Sequence, residues 1–434
     1  MQKQIYLKTP LASLITIGDE LLIGQTIDTN SAFIGQQLNS LGIWVRRRVA
    51  VGDNREDILA VLREESRHSS IIILTGGLGP TADDITKPLL CEYFGATLVR
   101  HQPTFEHIQH LFEKVYKRPG ALLERNKKQA DVPDNCTVLH NPSGTAPGML
   151  FIKEGVVYVS LPGVPREMKD LMQTAVLPYL EKNIARPTIL HRSVLTCGIG
   201  ESMLAEMLAG FESSLPAHIS LAYLPNYGMV KLRLTAKSES GEQLTQELNE
   251  LIQRLCELTA EYLVTDQDIS MEALLGQLLR DQHLTIATAE SCTGGLIAHQ
   301  LSTVPGASAY LKGSVVCYSN EIKEEVLGVT NSTLVQHGAV SEQVVTEMVK
   351  GALRVLKANI ALAVSGIMGP EGGSAEKPVG TVYVAVSNGQ RTTTHKLKLG
   401  FDRARNTQQT ALFALNLLRK FIISEEMGGR ASTR

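Results

Sequence analysis

Ile71-Ile72-Ile73-Leu74-Thr75-Gly76-Gly77-Leu78-Gly79-Pro80-Thr81-Ala82-Asp83-Asp84 is the stretch from which the fold can be read. Four consecutive aliphatic residues leave no polar face, as expected of a parallel strand covered by helices on both sides. The glycine-rich turn after them stands where open α/β sheets bind ligands, at the carboxyl end of a strand. Its glycines let backbone N–H groups approach a phosphate. Asp83 and Asp84, read as the start of the next helix, can hold a hard divalent cation or simply cap that helix.

Upstream, residues 13–17 read as a buried strand closed by Gly18-Asp19-Glu20. Asn30 or Ser31 can cap a helix with the apolar face Phe33, Ile34, Leu38 and Leu41, ended by Gly42. A strand over 43–51 and a helix over 54–67 follow. Alternating strands and helices predict a doubly wound sheet. Asp19, at a neighbouring strand end, adds a third carboxylate, so Asp19, Asp83 and Asp84 are expected to converge on a metal–phosphate site. Downstream, the turn-rich loop 141–149 leads to strands over 150–152 and 156–160. Leu161-Pro162-Gly163-Val164-Pro165 then opens a helix, and both glycine-bearing loops are expected near the same crevice.

The 434 residues call for two to four domains at roughly 100–200 residues each. With 42 Lys plus Arg against 44 Asp plus Glu, the net charge of −2 gives no electrostatic reason for nucleic-acid binding. The one dense basic run, Arg46-Arg47-Arg48, reads as a solvated strand edge. Six cysteines without a CxxC pair argue against structural zinc and against a disulfide framework, and fit a cytoplasmic location. No apolar run approaches the roughly 18 residues that span a bilayer, so neither a signal peptide nor an anchor is expected.

Past a small α+β segment (strands near 192–196, 218–223 and 230–235, helices over 201–208 and 241–262) and a linker expected at 264–268, a second stretch carries chemistry. Ala289-Glu290-Ser291-Cys292-Thr293-Gly294-Gly295 sits between a β-branched strand and a short helix. It places a hydroxyl and a thiol beside backbone N–H groups. Three further strand ends bear polar residues: Tyr318 with Lys323, Ser365, and Asp402 with Arg403. Attack of a hydroxyl on an acyl carbon fits this set. None of His283, His299, His337 and His395 follows a strand end as a catalytic base would. Lys323 is the alternative base, desolvated and oriented by Tyr318. Cys292 is a rival nucleophile. Gly and Arg in the tail 427–434, with no apolar pattern, predict disorder there.

The motifs Gly18-Asp19-Glu20-Leu21-Leu22 with Gly24, Asp28-Thr29-Asn30, Gly76-Gly77-Leu78-Gly79-Pro80-Thr81 with Asp83-Asp84, Gly144-Thr145-Ala146-Pro147-Gly148 and Leu161-Pro162-Gly163-Val164-Pro165 resemble the competence/damage-inducible CinA family. Its first domain is similar to molybdopterin-binding domains. The resemblance implies ADP-ribose pyrophosphatase activity there, with a divalent metal (Mg, Co or Mn), K+ being allowed, on Asp19, Asp83 and Asp84. It gives substrate contacts to Asn30, Gly77, Gly79, Thr81 and Lys87. The middle segment resembles a KH-type fold. It lacks the basic GxxG loop of RNA-binding modules, which favours a spacer or dimerisation role.

Ala289 to Gly295, Tyr318-Ser319-Asn320 with Lys323, His337-Gly338-Ala339-Val340-Ser341, Ser365-Gly366-Ile367 with Gly369-Pro370, Lys377-Pro378-Val379-Gly380-Thr381 and Gly400 with Asp402-Arg403 are similar to the family's nicotinamide-nucleotide amidase domain. The implied reaction converts nicotinamide mononucleotide to nicotinate mononucleotide and ammonia without a cofactor. Ser291 is then the nucleophile, with Lys323 and Tyr318 as activators. Thr293, Gly294 and Gly295 would supply oxyanion or phosphate donors, and Asn320, Ser365 and Arg403 substrate contacts. Where the family pattern reads Thr-Gly-Ile-Ala-Gly-Pro, this chain has Ser365 and Met368. The expected architecture is a doubly wound α/β domain (1–182), a KH-like α+β domain (183–264) and an α/β amidase domain (270–426) in a homodimer acting on nucleotides, away from membranes. The rival is a non-enzymatic molybdopterin-like or recombination-linked binding protein.

Overall fold

The computed structural model describes residues 10–81, 84–117, 122–185, 188–238 and 241–431. The chain forms two compact units, one built up to His191 together with Ala236–Gln246, the other from Arg192–Thr235 and everything from Glu247 onward.

In the first unit, strands β1 (Leu11–Ile17), β2 (Trp44–Val51), β3 (Ile71–Thr75), β4 (Thr137–Leu139), β5 (Gly148–Lys153) and β6 (Val156–Leu161) form one sheet in the order β2-β1-β3-β6-β5-β4. β2, β1, β3 and β6 are parallel, and β5 and β4 run antiparallel at one end. The period-2 alternation of a strand sends Leu14, Ile71 and Ile73 into one core with Ile34 and Leu38. Ile15, Ile72 and Leu74 go into another with Ile58 and Leu62. Helices therefore cover both faces, as the apolar run of β3 predicts.

Local details differ from the sequence reading. The helix Thr29–Ser40 is capped by Asp28, whose side chain accepts the Ser31 N–H, and not by Asn30 or Ser31. The helix after the glycine turn begins at Thr86, so Asp84 precedes it. Asp83 lies outside the described residues.

β2 is the sheet edge, and its arginines answer to one buried carboxylate. Glu65, 1% exposed, meets Arg47 Nη1 at 2.6 Å and Arg46 Nη1 at 3.4 Å, and accepts from Ser13 Oγ at 2.6 Å. Part of the basic run is thus consumed internally.

β7 (Thr188–Cys197), β8 (Ile219–Asn226), β9 (Met229–Ser238) and β10 (Leu263–Thr265) form a second sheet in the order β8-β9-β7-β10, flanked by helices Glu201–Ser213 and Gly241–Leu258. β10 pairs antiparallel with β7, so the linker expected at 264–268 begins inside this sheet. The last sheet contains β11 (Ile286–Glu290), β12 (Leu311–Val316), β13 (Ile360–Gly366), β14 (Thr381–Ser387) and β15 (Thr392–Lys398), ordered β12-β11-β13-β14-β15. Its first three strands are parallel and the rest antiparallel.

One face of this sheet is built of small side chains, Ala287, Ala289, Ala361, Ala363 and Ala385, which lets the helix Glu342–Leu356 lie close. The final helix, Arg403–Ala431, runs on through most of the tail expected to be disordered. Once nucleated, each added helical residue gains one backbone bond, so a short apolar-poor extension can follow a packed helix. No helix among the described residues is long and apolar enough to cross a membrane.

Replacing Glu65 by Ala leaves two arginines and a buried serine without their acceptor. Urea unfolding of Glu65→Ala should show a loss of about 3 kcal/mol. A loss within the roughly 0.5 kcal/mol of an ordinary surface change would mean that the edge is stable without it.

Candidate active site

Three parallel strands of the last sheet end side by side, and their loops bring Ser291, Lys323 and Ser365 to one rim. Ser291 continues the ladder past β11, its N–H donating to Val364 O at 3.1 Å. Lys323 lies on the short helix Asn320–Glu325, capped by the Ser319 hydroxyl, and is 1% exposed. Its Nζ donates to Ser291 Oγ at 3.2 Å, Cys317 O at 2.8 Å, Tyr318 O at 3.3 Å and Ser319 O at 3.4 Å. Burial holds the amine below the usual lysine range, partly offset by the Cys317 and Cys292 thiols. A buried amine with a lowered pKa beside a hydroxyl is what a general base requires at moderate pH.

Cys292 is poorly suited to compete. Burial, reinforced by nearby Glu290, pushes its thiol up to about 12, which leaves little thiolate.

Other site residues take parts that sequence reasoning did not assign. The Tyr318 side chain is 63% exposed, and its hydroxyl accepts from Arg403 Nη2 at 2.8 Å. Only its carbonyl meets Lys323, so the phenol is not placed to relay a proton to that amine. Arg403 also donates from Nη1 to Gly369 O at 2.8 Å.

The Thr293 hydroxyl and the Gly295 N–H both donate to Glu290 Oε2, at 2.7 and 3.1 Å, and the Gly294 N–H donates to Ser291 O at 3.2 Å. Of the N–H donors expected for an oxyanion or phosphate, those of Gly294 and Gly295 are therefore already engaged, and that of Thr293 is not. Among the described residues, the N–H groups of Cys292 and Thr293 meet no oxygen acceptor of the protein. The Ser365 hydroxyl donates to Ala339 O at 2.7 Å. Met368, 3% exposed, packs into the core. Asn320 is exposed at the start of its helix.

In the first unit, the loops after β1, β2, β3 and β6 enclose a cleft of ≈ 400 Å³ lined by Glu20, Asp53, Gly77, Gly79, Asp84 and Glu167, among others. Thr145 and Ala146 of the loop before β5, and Pro162 and Gly163 after β6, line it as well. Gly76 has φ +109°, and a Cβ there would stand 2.2 Å from Ile17 O, so the turn admits no side chain. Asp84 accepts from Gly79 N–H at 2.7 Å, Thr81 N–H at 2.8 Å and Thr81 Oγ1 at 2.5 Å. The Gly79 N–H and Thr81 hydroxyl are thus held by their own loop.

Asp19 faces Asp53, each backbone N–H donating to the other's carboxylate, at 3.4 and 3.2 Å. Among the described residues no three His, Cys, Asp or Glu side chains form a group that could hold a metal, and Asp83 is not among them. Asn30 Nδ2 donates to Gly163 O at 2.7 Å, and Asn30 borders an adjoining cavity of ≈ 120 Å³. Lys87 is buried with its Nζ on Gln129 O at 2.6 Å, and with Arg125 and Lys128 it lines an adjoining cleft that shares Gly79, Pro80, Asp84 and Gln129 with the first.

With both sites laid out, the relatives can be set beside them. Residues 13–182 match the probable molybdopterin binding domain, 191–264 the damage-inducible protein CinA KH domain, and 268–422 the CinA C-terminal domain. A CinA-like protein of Cytophaga hutchinsonii is 47% identical over 409 residues, 94% of this chain and 97% of its own. The chain belongs to the CinA family. A putative competence-damage inducible protein of Caldicellulosiruptor bescii is 41% identical over 95% of this chain and 99% of its own. The crystal structure of competence/damage inducible protein CihA from Agrobacterium tumefaciens, 40% identical, covers 36% of this chain and 97% of its own, with a TM-score of 0.34. The CinA architecture here is therefore a molybdopterin-binding-like domain, a KH-like middle and a CinA C-terminal domain.

Reading this CinA chain from sequence missed Glu20, Asp53 and Glu167 at the cleft and Glu290 beside Ser291. Asp53 follows a strand end just as Asp19 does, and Glu290 is the one charged residue of its strand and stands next to Ser291. Both were detectable signals.

The buried Lys87 amine has its pKa lowered to about 8, by burial first, with Asp131 opposing. Unfolded, it keeps a proton up to about pH 10.4. Between these values the unfolded chain binds more protons, so stability rises with pH. Thermal unfolding from pH 7.5 to 10.5 should show a rise on the order of 3 kcal/mol that Lys87→Met lacks. An unchanged profile in that variant would refute the assignment.

Proposed function

We propose that the C-terminal domain hydrolyses the carboxamide of nicotinamide mononucleotide to nicotinate mononucleotide and ammonia. The observation that carries this reading is the buried Lys323 amine 3.2 Å from Ser291 Oγ. Neutral Lys323 takes the hydroxyl proton as Ser291 Oγ attacks the carboxamide carbon. The carbonyl oxygen, now anionic, is received by the Cys292 and Thr293 N–H groups, which have no other oxygen acceptor among the described residues. The lysine returns the proton to the departing nitrogen, ammonia leaves, and water cleaves the acyl-serine by the same proton path. Arg403, tethered to Tyr318 and Gly369, is the residue proposed to receive the substrate's anionic end.

The first domain is proposed to hydrolyse ADP-ribose at the diphosphate. Among the described residues its cleft is lined by four carboxylates, Glu20, Asp53, Asp84 and Glu167, and by no lysine or arginine. A diphosphate is repelled from such a lining unless a cation intervenes, and these hard oxygen donors suit Mg, Mn or Co. When bound, the cation neutralises phosphate oxygens and activates water. Asp19, Asp83 and Asp84 remain the proposed ligands. Asn30 and the glycine turn border the space where the nucleotide would lie. Together the two activities make a pyridine-nucleotide salvage enzyme.

Ammonia release from nicotinamide mononucleotide tests the first activity. Ser291→Ala and Lys323→Met should each lose about 10³-fold or more. Cys292→Ala should keep most of the rate. For the wild type, kcat/KM should climb with pH and level off below the ~10.4 of a free lysine, because deprotonation creates the base. Full activity in Ser291→Ala would remove the serine from the mechanism. ADP-ribose hydrolysis should require added divalent metal and fall about 10-fold or more in Asp84→Ala. Equal rates with a chelator present would overturn the metal proposal.

A further inference from the structure

A carboxylate at zero exposure is costly unless its oxygens are fully hydrogen-bonded. Glu290, the last residue of β11, is such a group, and no lysine or arginine pairs with it among the described residues. Five donors converge on it instead. Oε2 accepts from Thr293 Oγ1 at 2.7 Å, Gly295 N at 3.1 Å and Ile297 N at 3.0 Å. Oε1 accepts from Ala298 N at 2.8 Å and Thr288 Oγ1 at 3.3 Å. Those groups belong to the strand before the nucleophile, the turn that carries it and the first turn of the helix Leu296–Ser302 after it. One side chain thus fastens all three segments around Ser291.

We propose that Glu290 is the positioning residue of the Ser291 site. It occupies the Gly295, Ile297 and Ala298 N–H groups at the helix start itself, so the substrate's anionic group is directed elsewhere. It also closes the turn over Gly295, whose φ of +98° no β-carbon-bearing residue readily adopts. With Gly295 and Thr293 Oγ1 tied inward, the N–H groups of Cys292 and Thr293 are left for the reacting oxygen. The carboxylate touches neither substrate nor Lys323, and it acts through the backbone of the turn. This inference rests on the serine mechanism proposed above and adds what holds that serine in register.

Glu290→Gln keeps the size but sets an amide NH₂ in place of one oxygen, against the N–H of Ala298 or those of Gly295 and Ile297, none of which can accept. Glu290→Asp keeps the charge and shortens the reach. With nicotinamide mononucleotide, Glu290→Gln should lose about 100-fold in kcat with KM within about two-fold, as expected for displacement of the reacting groups by about 1 Å. Glu290→Asp should recover part of that loss. In parallel, a fluorophosphonate that phosphonylates activated serines, with loss of fluoride, is followed by intact mass and peptide mapping. Ser291 should be labelled in the wild type and at least ten times more slowly in Glu290→Gln, with circular dichroism of both unchanged.

If the wild type releases no ammonia, the substrate assignment falls, and the labelling rates still decide on Glu290. Wild-type kcat and labelling in Glu290→Gln overturn the inference, as does a wild type that resists labelling. A variant whose loss matches only its unfolded fraction also overturns it.

Discussion

An amine that is 1% exposed keeps its place only if oxygens replace the water it has lost. For Lys323 these are the carbonyls of Cys317, Tyr318 and Ser319, all from the turn that links β12 to the lysine's own helix. The arrangement is local in sequence, so the lysine is seated before any long-range packing is considered. What must come from afar is the serine. The parallel pairing of β11 with β12 places the turn after β11 against the turn after β12, and the hydroxyl arrives 3.2 Å from the nitrogen. The alanine face beneath the helix Glu342–Leu356 supports this indirectly. Small side chains let the sheet and helix close tightly, and the strand ends that carry the chemistry inherit that rigidity.

Burial at this rim works in opposite directions on neighbouring groups. It disfavours the charged form of each, which lowers the proton affinity of the amine and raises that of the thiols. Lys323 is more readily present as the neutral amine that can act as a base, while Cys292 and Cys317 hold less thiolate, Cys317 being pushed up to about 11. A single property of the environment therefore selects serine over the intrinsically more reactive cysteine next to it. Glu290 is buried at the same rim, and there the five donors gathered on its oxygens replace the water it has lost.

The sequence was informative where backbone geometry alone decides. An all-aliphatic run such as 71–74 has one sensible environment, and strand ends in a parallel sheet must share a rim, so Ser291, Lys323 and Ser365 could be grouped without coordinates for any side chain. It was uninformative where a side chain chooses among partners of similar chemistry. Tyr318 can offer Lys323 a phenol or a carbonyl, and the phenol goes to Arg403. Asp84 can face a cation or its own loop, and it bonds Gly79 and Thr81. Gly295 and the Thr293 hydroxyl read as free donors because Glu290, read as part of the same turn, gives no sign in the sequence of which way its side chain folds. Charged residues inside apolar strands deserve weight in such readings, since they persist there only when the surrounding donors are already committed.

The acidic lining of the first cleft has a consequence for how a cell could regulate the chain. On the proposed reading, occupancy by a polyanion there would follow the supply of divalent ions, because four carboxylates line the space. The proposed serine mechanism calls on no cation and would answer instead to proton activity through one amine. Two catalytic stations on one polypeptide would then obey independent solution variables, so that a fall in free metal silences one while the other continues to turn over.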